Sequence, residues 1–454
     1  MGEIRFGAAV RDITPHHPVL LHGYSGRSRK SGTDAPDTVS EPLYLGALAL
    51  NDGRQTVVFV TLDMIGVRGQ VARQLLQVIE KSTGLGFPNI VLTASHTHFA
   101  PALHPDTFAS PEIGIAEPDE RFVHTVRHHA IQAVQESLSN MQTGKLEVYR
   151  AHVPSVLFNR RTVTNDGNVV TNFLYPENPA EYAFSPVDDE LTALRIRTPS
   201  GIAAVLLNFG CHPVTGGRDR EVSLHQISSD YPYYARRFLS SRYGCPVYFT
   251  LGAAGDAVPM NRQGQCRAQI GAVLANSVLL GERIFAESDE CVLETAVKSL
   301  RVATIMPTAG VADLYSQYEQ SKSKLFELQH DESIDPASDE YQHALVDYRD
   351  KSTRCLRHRL YPDDTYTIDV QFVCLGGQVM VALPFEVLAE FAIRMKKRFP
   401  DSILLSTSNG YEGYLPFARE YERGGYEAST QSTHFTIGTA EKLFDLVADQ
   451  LQGF

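Results

Sequence analysis

The chain has 454 residues, a formal net charge of −12, 43% apolar residues and 21% charged residues. That length suffices for two or three domains, or for one large α/β domain carrying insertions, in a soluble globular class. The acidic balance is spread along the chain, which excludes nucleic acid as an expected partner and disfavours an anionic membrane surface, since both need a basic face.

No stretch approaches the ~20 apolar residues of a membrane span. The opening M-G-E-I-R-F-G-A-A-V lacks the basic-then-apolar layout of a leader. Cys211, Cys245, Cys266, Cys291, Cys355 and Cys374 are scattered and form no C-x-x-C pair, which favours free, buried thiols over disulfides. These features predict a cytoplasmic protein.

In chain order, Tyr44–Asn51 and Thr56–Asp63 read as apolar strands around the turn Asp52-Gly53. Val71–Lys81 reads as a helix, with Val71, Leu75, Val78 and Ile79 at helical spacing. Asn89–Ala94 is an apolar strand and Glu120–Leu138 an amphipathic helix. Lys145–His152 reads as a strand and Thr162–Asp188 as a long loop. Leu191–Ile196, Ala203–Phe209 and Pro246–Leu251 read as strands, Pro232–Ser240 and Gln265–Glu287 as helices. Met306–Tyr361 is charged and helical, with two helices, 309–329 and 336–357, in a hairpin. Thr365–Leu375 and Gln378–Leu383 form a β-hairpin around Gly376-Gly377, followed by a helix over 385–398, a strand at Ile403–Ser406 and a closing helix at 436–453. The expected fold is α/β, with a mixed central sheet covered by helices and a helical insertion at 306–361.

Six motifs carry candidate chemistry. Val91–Pro101 ends an apolar run in His96-x-His98; on an extended backbone the two imidazoles share a face where a strand opens into a loop, a common place for metal ligands and general bases. Two solvent-facing histidines at a strand end would read the same way. Leu207–Pro213 delivers His212 to a similar opening. In Val381–Glu386, Pro384 starts a helix and Glu386 falls in its first turn, where a carboxylate suits the helix dipole or can point into a cleft. Asn409–Gly413 leads to Tyr414, with Tyr421 and Tyr426 following among glycines. Leu251–Pro259 ends a strand in glycines and presents Asp256, which, like Asp63 at the end of F-V-T-L-D, suits support of a metal-bound histidine or an ordinary turn. Asn159-Arg160-Arg161 offers guanidinium groups that can clamp a carboxylate or polarise a carbonyl.

Taken in order, R-D-I-T-P, S-H-T-H, F-N-R-R, N-F-G-C-H-P-V, S-S-D-Y, G-A-A-G-D-A-V-P, L-P-F-E, G-Y-E-G-Y and Y-E-A-S-T resemble the neutral/alkaline ceramidase family, the non-lysosomal ceramidases. The resemblance spans nearly the whole chain. It implies one catalytic Zn²⁺ and hydrolysis of an N-acyl amide. It implies zinc ligands at His96, His212, Glu386 and Tyr414, with His98, Arg160 and Tyr426 lining the reacting carbonyl. Asp63, Asp230 and Asp256 would stand behind these residues or meet substrate. Three departures accompany it. Val258 stands where these ceramidases carry a serine, and the expectation is of a catalytic segment without the β-sandwich domain or the leader that these ceramidases have.

The resulting expectation is a single catalytic domain over 1–454. It would be a zinc hydrolase cleaving an amide, or an ester, in a small N-acyl substrate such as an N-acyl amine or N-acyl amino sugar, with ceramide not the first choice. A homo-oligomer is allowed. Two other classes fit parts of the pattern. An amidohydrolase barrel would carry H-x-H on its first strand, whereas here several strands precede it. A binding homologue that had lost catalysis would explain Val258 but not the retained His98, Arg160 and Tyr426.

Overall fold

The computed structural model describes residues 2–24, 39–216, 224–263, 265–305 and 310–454. Its main sheet has nine strands. Eight run in the order Val247–Leu251, Gly201–Phe209, Glu190–Thr198, Gln142–His152, Glu3–Asp12, Tyr44–Asn51, Thr56–Leu62, Ile90–Ala94, and Ala286–Glu287 pairs off this path with Gln142–His152. The pairs at the two ends are parallel and the pairs between them antiparallel. The two end strands lie against each other, so the sheet is curled and brings distant strand ends together.

A second sheet, Leu293–Ala303, Thr365–Leu375, Gln378–Ala382 and Ser402–Leu405, packs on the first. Val373, Leu375, Met380 and Ile403 of the second meet Val57, Phe59, Val91 and Leu206 of the first in one buried cluster. Helices cover the outside. Gly69–Thr83 and Glu120–Ser139 bury their apolar faces on one part of the main sheet, Tyr231–Tyr243 and Cys266–Leu280 on another, and Ala389–Arg398 and Thr439–Leu451 on the second sheet. The insertion is a helical hairpin, Val311–Gln329 and Asp339–Leu360, with its own core of Leu314, Tyr318, Leu325, Tyr348 and Cys355. Tyr348 Oη donates to the Phe108 carbonyl (2.9 Å), docking the hairpin on the body. Residues 306–309 of the expected insertion lie outside the described residues.

Several expectations need correction. Glu3–Asp12 and Leu293–Ala303 are strands that apolar runs do not reveal, because polar residues alternate through both. The helix expected over Gln265–Glu287 stops at Leu280, where Gly281 caps it. The loop expected over Thr162–Asp188 contains Val169–Thr171 and Ala183–Phe184, both paired with Arg161–Val163. The helix expected from Phe385 begins at Ala389. Glu386 is therefore not in a first helical turn. It lies in the two-residue strand Glu386–Val387, in parallel register with Tyr414–Leu415.

Candidate active site

Strand Ile90–Ala94 is completely buried, and the chain turns sharply after it. The His96 backbone is left-handed, with φ 67°, a conformation that costs a non-glycine residue on the order of 1–3 kcal/mol. His96 and His98 are thus not neighbours on an extended strand, as the spacing predicts. The turn crosses their rings at 83° and still brings the two Nε2 atoms to 3.3 Å. His212 arrives from the loop after Gly201–Phe209, and its Nε2 lies 3.0 Å from that of His96. The curl of the main sheet makes this meeting possible.

Each histidine is oriented by a backbone carbonyl. His96 Nδ1 bonds Ile65 O (2.6 Å), His212 Nδ1 bonds Ala254 O (2.5 Å) and His98 Nδ1 bonds Gly23 O (3.0 Å). A carbonyl only accepts, so Nδ1 carries the proton and each Nε2 presents a lone pair. Gly23 matters to His98. Its φ is +101°, and a β-carbon there would fall 2.5 Å from the His98 ring.

Glu386 completes the cluster. Its Oε2 is 3.2 Å from His96 Nε2 and 3.3 Å from His212 Nε2, and that oxygen is buried without a hydrogen-bond donor. Burial depresses the His212 imidazole to about 4, against the opposing pull of Glu386. The donor atoms of His96, His98 and His212 all lie within 4.8 Å of one another. Three nitrogen lone pairs and one carboxylate oxygen converging in a buried place suit a divalent cation with N/O ligands.

Arg160 is buried beside this cluster. Nε donates to Glu427 Oε1 (2.6 Å), and Nη2 donates to Gly255 O and Tyr414 Oη (both 2.9 Å). Nη1 has no partner among the described residues. The Tyr414 ring meets Tyr426 at 5.6 Å between centroids, and Tyr426 is 39% exposed. The hydroxyl that reaches Glu386 belongs to Tyr411, which donates to Oε1 at 2.9 Å.

A family model for "Neutral/alkaline non-lysosomal ceramidase, N-terminal" matches residues 5–242, just over half of the chain. The chain belongs to that family. His96, His98, Arg160 and His212 fall inside the matched part of this ceramidase-family chain; Glu386, Tyr414 and Tyr426 fall beyond it. Among solved structures, neutral ceramidase from Pseudomonas aeruginosa is similar with a TM-score of 0.72 and 16% identity, over 99% of this chain and 74% of that one. A ceramidase complexed with C2 is similar with a TM-score of 0.71 and 15% identity, over 99% and 75%. At such identities the likeness establishes the fold. No curated protein matches.

The three aspartates stand apart from the ring nitrogens. Asp256 takes Asn159 Nδ2 and the Ala389 N–H (both 2.8 Å), so it ties the Arg160 segment to the start of the helix after Glu386. Backbone carbonyls, and not Asp256, orient the histidines. Asp63 pairs with Arg236 through both oxygens (3.0 and 2.6 Å). Asp230 takes the Thr215 N–H and hydroxyl and so steadies the loop after His212. Val258 is fully buried, with Phe158 and Val214, and Tyr24 packs against them. Sequence reasoning passed over Glu427 and Tyr411, though both lie inside quoted motifs. A pair of arginines in a segment headed for the interior is itself a signal to look for buried carboxylates.

Proposed function

We propose that this ceramidase-family chain, whose family implies an amide-bond hydrolase, is a zinc-dependent hydrolase cleaving the amide of a small N-acyl substrate. The observation that carries the reading is the meeting of three Nε2 lone pairs, two of them, those of His96 and His212, also facing the orphaned Oε2 of Glu386. His96, His212 and Glu386 would hold the metal, with Tyr414 beside them as a fourth ligand. When bound, a divalent cation supplies Lewis acidity toward a carbonyl and toward water near neutral pH.

The chain's own residues do the rest. His98 is the least buried of the three histidines, so we give its Nε2 the proton taken from water and returned to the leaving amine. Arg160, held rigidly by Glu427 and Gly255, meets the oxyanion through Nη1, with Tyr426 opposite. Removing one such donor typically costs about 10²–10³ in rate. Val258, buried against Phe158 and Val214, stands where the ceramidase motif has a serine, which supports an N-acyl amine or amino sugar over ceramide. Six free cysteines, five of them buried, support the cytoplasmic reading. No described helix is long and apolar enough to cross a membrane.

The test is metal content together with a screen of N-acyl substrates. Wild type is expected to purify with about one zinc per chain, and His98→Ala to keep the metal and lose turnover. A wild-type protein that takes up no zinc overturns the reading. A His98→Ala protein that loses its zinc makes His98 a ligand instead of the proton carrier.

A further inference from the structure

Glu386 has two oxygens, and the structure uses them differently. Oε2 faces His96 and His212 at 3.2 and 3.3 Å. Oε1 accepts the Tyr411 hydroxyl at 2.9 Å. Tyr411 is three residues before Tyr414, whose own hydroxyl is taken up by Arg160.

The Tyr411 ring is tightly held. The His96 ring lies 5.7 Å from it and the His104 ring 5.8 Å. The Arg68 guanidinium sits 5.3 Å from the ring centroid, and Arg68 Nη1 donates to the Tyr411 carbonyl at 3.3 Å. Position 66 tolerates this ring only as glycine, because a β-carbon there would come within 2.5 Å of Tyr411 Cγ. The next residue, Glu412, is anchored by the Gly69 N–H (2.8 Å), the Tyr366 hydroxyl (3.0 Å) and the Tyr361 hydroxyl. A phenol fixed in this way has little freedom to leave Oε1.

We propose that Tyr411 is a positioning residue of the metal centre: by occupying Oε1, it commits Glu386 to ligation through Oε2 alone. This inference rests on the zinc-centre reading above. Partners that hydrogen-bond a ligating carboxylate typically account for 10- to 100-fold in metal affinity. The arrangement extends outward, since Arg68, His104 and Glu412 also line a cavity of about 900 Å³.

The experiment is zinc competition against a chromogenic chelator, with the visible spectrum of the cobalt-substituted protein as a second readout. Tyr411→Phe should bind zinc 10- to 100-fold more weakly and shift the cobalt bands, while the metal-free protein melts where wild type does. Unchanged affinity with an unchanged cobalt spectrum overturns the proposal. Gly66→Ala, which displaces the ring without removing the hydroxyl, should give a smaller loss. If Tyr411→Phe fails to fold, Gly66→Ala decides alone, and zinc affinity equal to wild type overturns the proposal. A wild-type protein that binds no zinc instead overturns the underlying reading, and this inference falls with it.

Discussion

Two buried polar clusters lie side by side, and they are built on opposite plans. Around Arg160, two arginines meet two glutamates. Arg160 and Arg161 both bind Glu427 (2.6 and 2.9 Å), and Arg161 also binds Glu420 (2.6 Å). Every charge there has an opposite within reach. Around His96 the donors are all on one side: three ring nitrogens face one another, two of them also face a carboxylate oxygen, and the proton of each ring is already spent on a carbonyl. The first cluster is complete as a protein. The second leaves lone pairs facing one another, an arrangement that suits a cation.

The sharpest way to break this contrast is to remove a ligand. His96→Ala and Glu386→Gln should lose zinc retention through dialysis and reduce turnover by several orders of magnitude, because the cation is then held by fewer than the usual protein ligands. Next in size, Glu427→Ala should lower stability by about 3–5 kcal/mol, read from denaturant midpoints, since it leaves the buried Arg160 guanidinium without its carboxylate and Arg161 with Glu420 alone. Its zinc content should stay near wild type, which separates the two clusters. Arg160→Lys should retain fold and metal but lose about 10²–10³ in kcat, as a point charge cannot reproduce the fork that Glu427 and Tyr414 hold.

The smallest effect is a pH slope at Asp256. Burial pushes this carboxyl up to about 6, with the Ala389 N–H and Asn159 only partly offsetting it. Its unfolded value is near 3.9. A raised folded value means the native state holds the extra proton, so this contribution is full below about pH 4, declines as pH rises to about 6, and is level above that. Two units correspond to about 3 kcal/mol at most. Stability profiles of Asp256→Asn should lack that decline, and a profile parallel to wild type would remove the assignment.

The sequence shows the parts of this arrangement that are local. Strands such as Ile90–Ala94 and Val247–Leu251 are apolar runs, and the motifs ending in His96-x-His98, His212 and Glu386 stand at the ends of such runs. The pieces that escaped depend on long-range closure or on the backbone. The carbonyls of Ile65, Ala254 and Gly23 that orient the rings leave no trace in residue type, so Asp256 took that place in the sequence reading. Glu386 looked like a first-turn residue because Pro384 favours a helix start, whereas Glu386 N–H to Gly413 O and Glu412 N–H to Pro384 O hold the segment extended against Gly413–Tyr414. Glu427 and Tyr411 were visible as letters, but their partners lie 267 and 25 residues away.

The curl of the nine-stranded sheet has a further consequence. His96 leaves one end strand, His212 leaves the strand next to the other end, and Glu386 comes from the connection between Gln378–Ala382 and Ser402–Leu405 of the second sheet. An ion held by these three side chains would fasten three remote lengths of polypeptide, much as a buckle closes a belt. By mass action, zinc at a hundred times its dissociation constant would add about 2.7 kcal/mol to native stability, and this gain would act across the seam where the sheet meets itself. Substitutions that loosen that seam, such as filling Gly46 where Tyr248 crosses, should weaken the hold on the ion without touching any ligand.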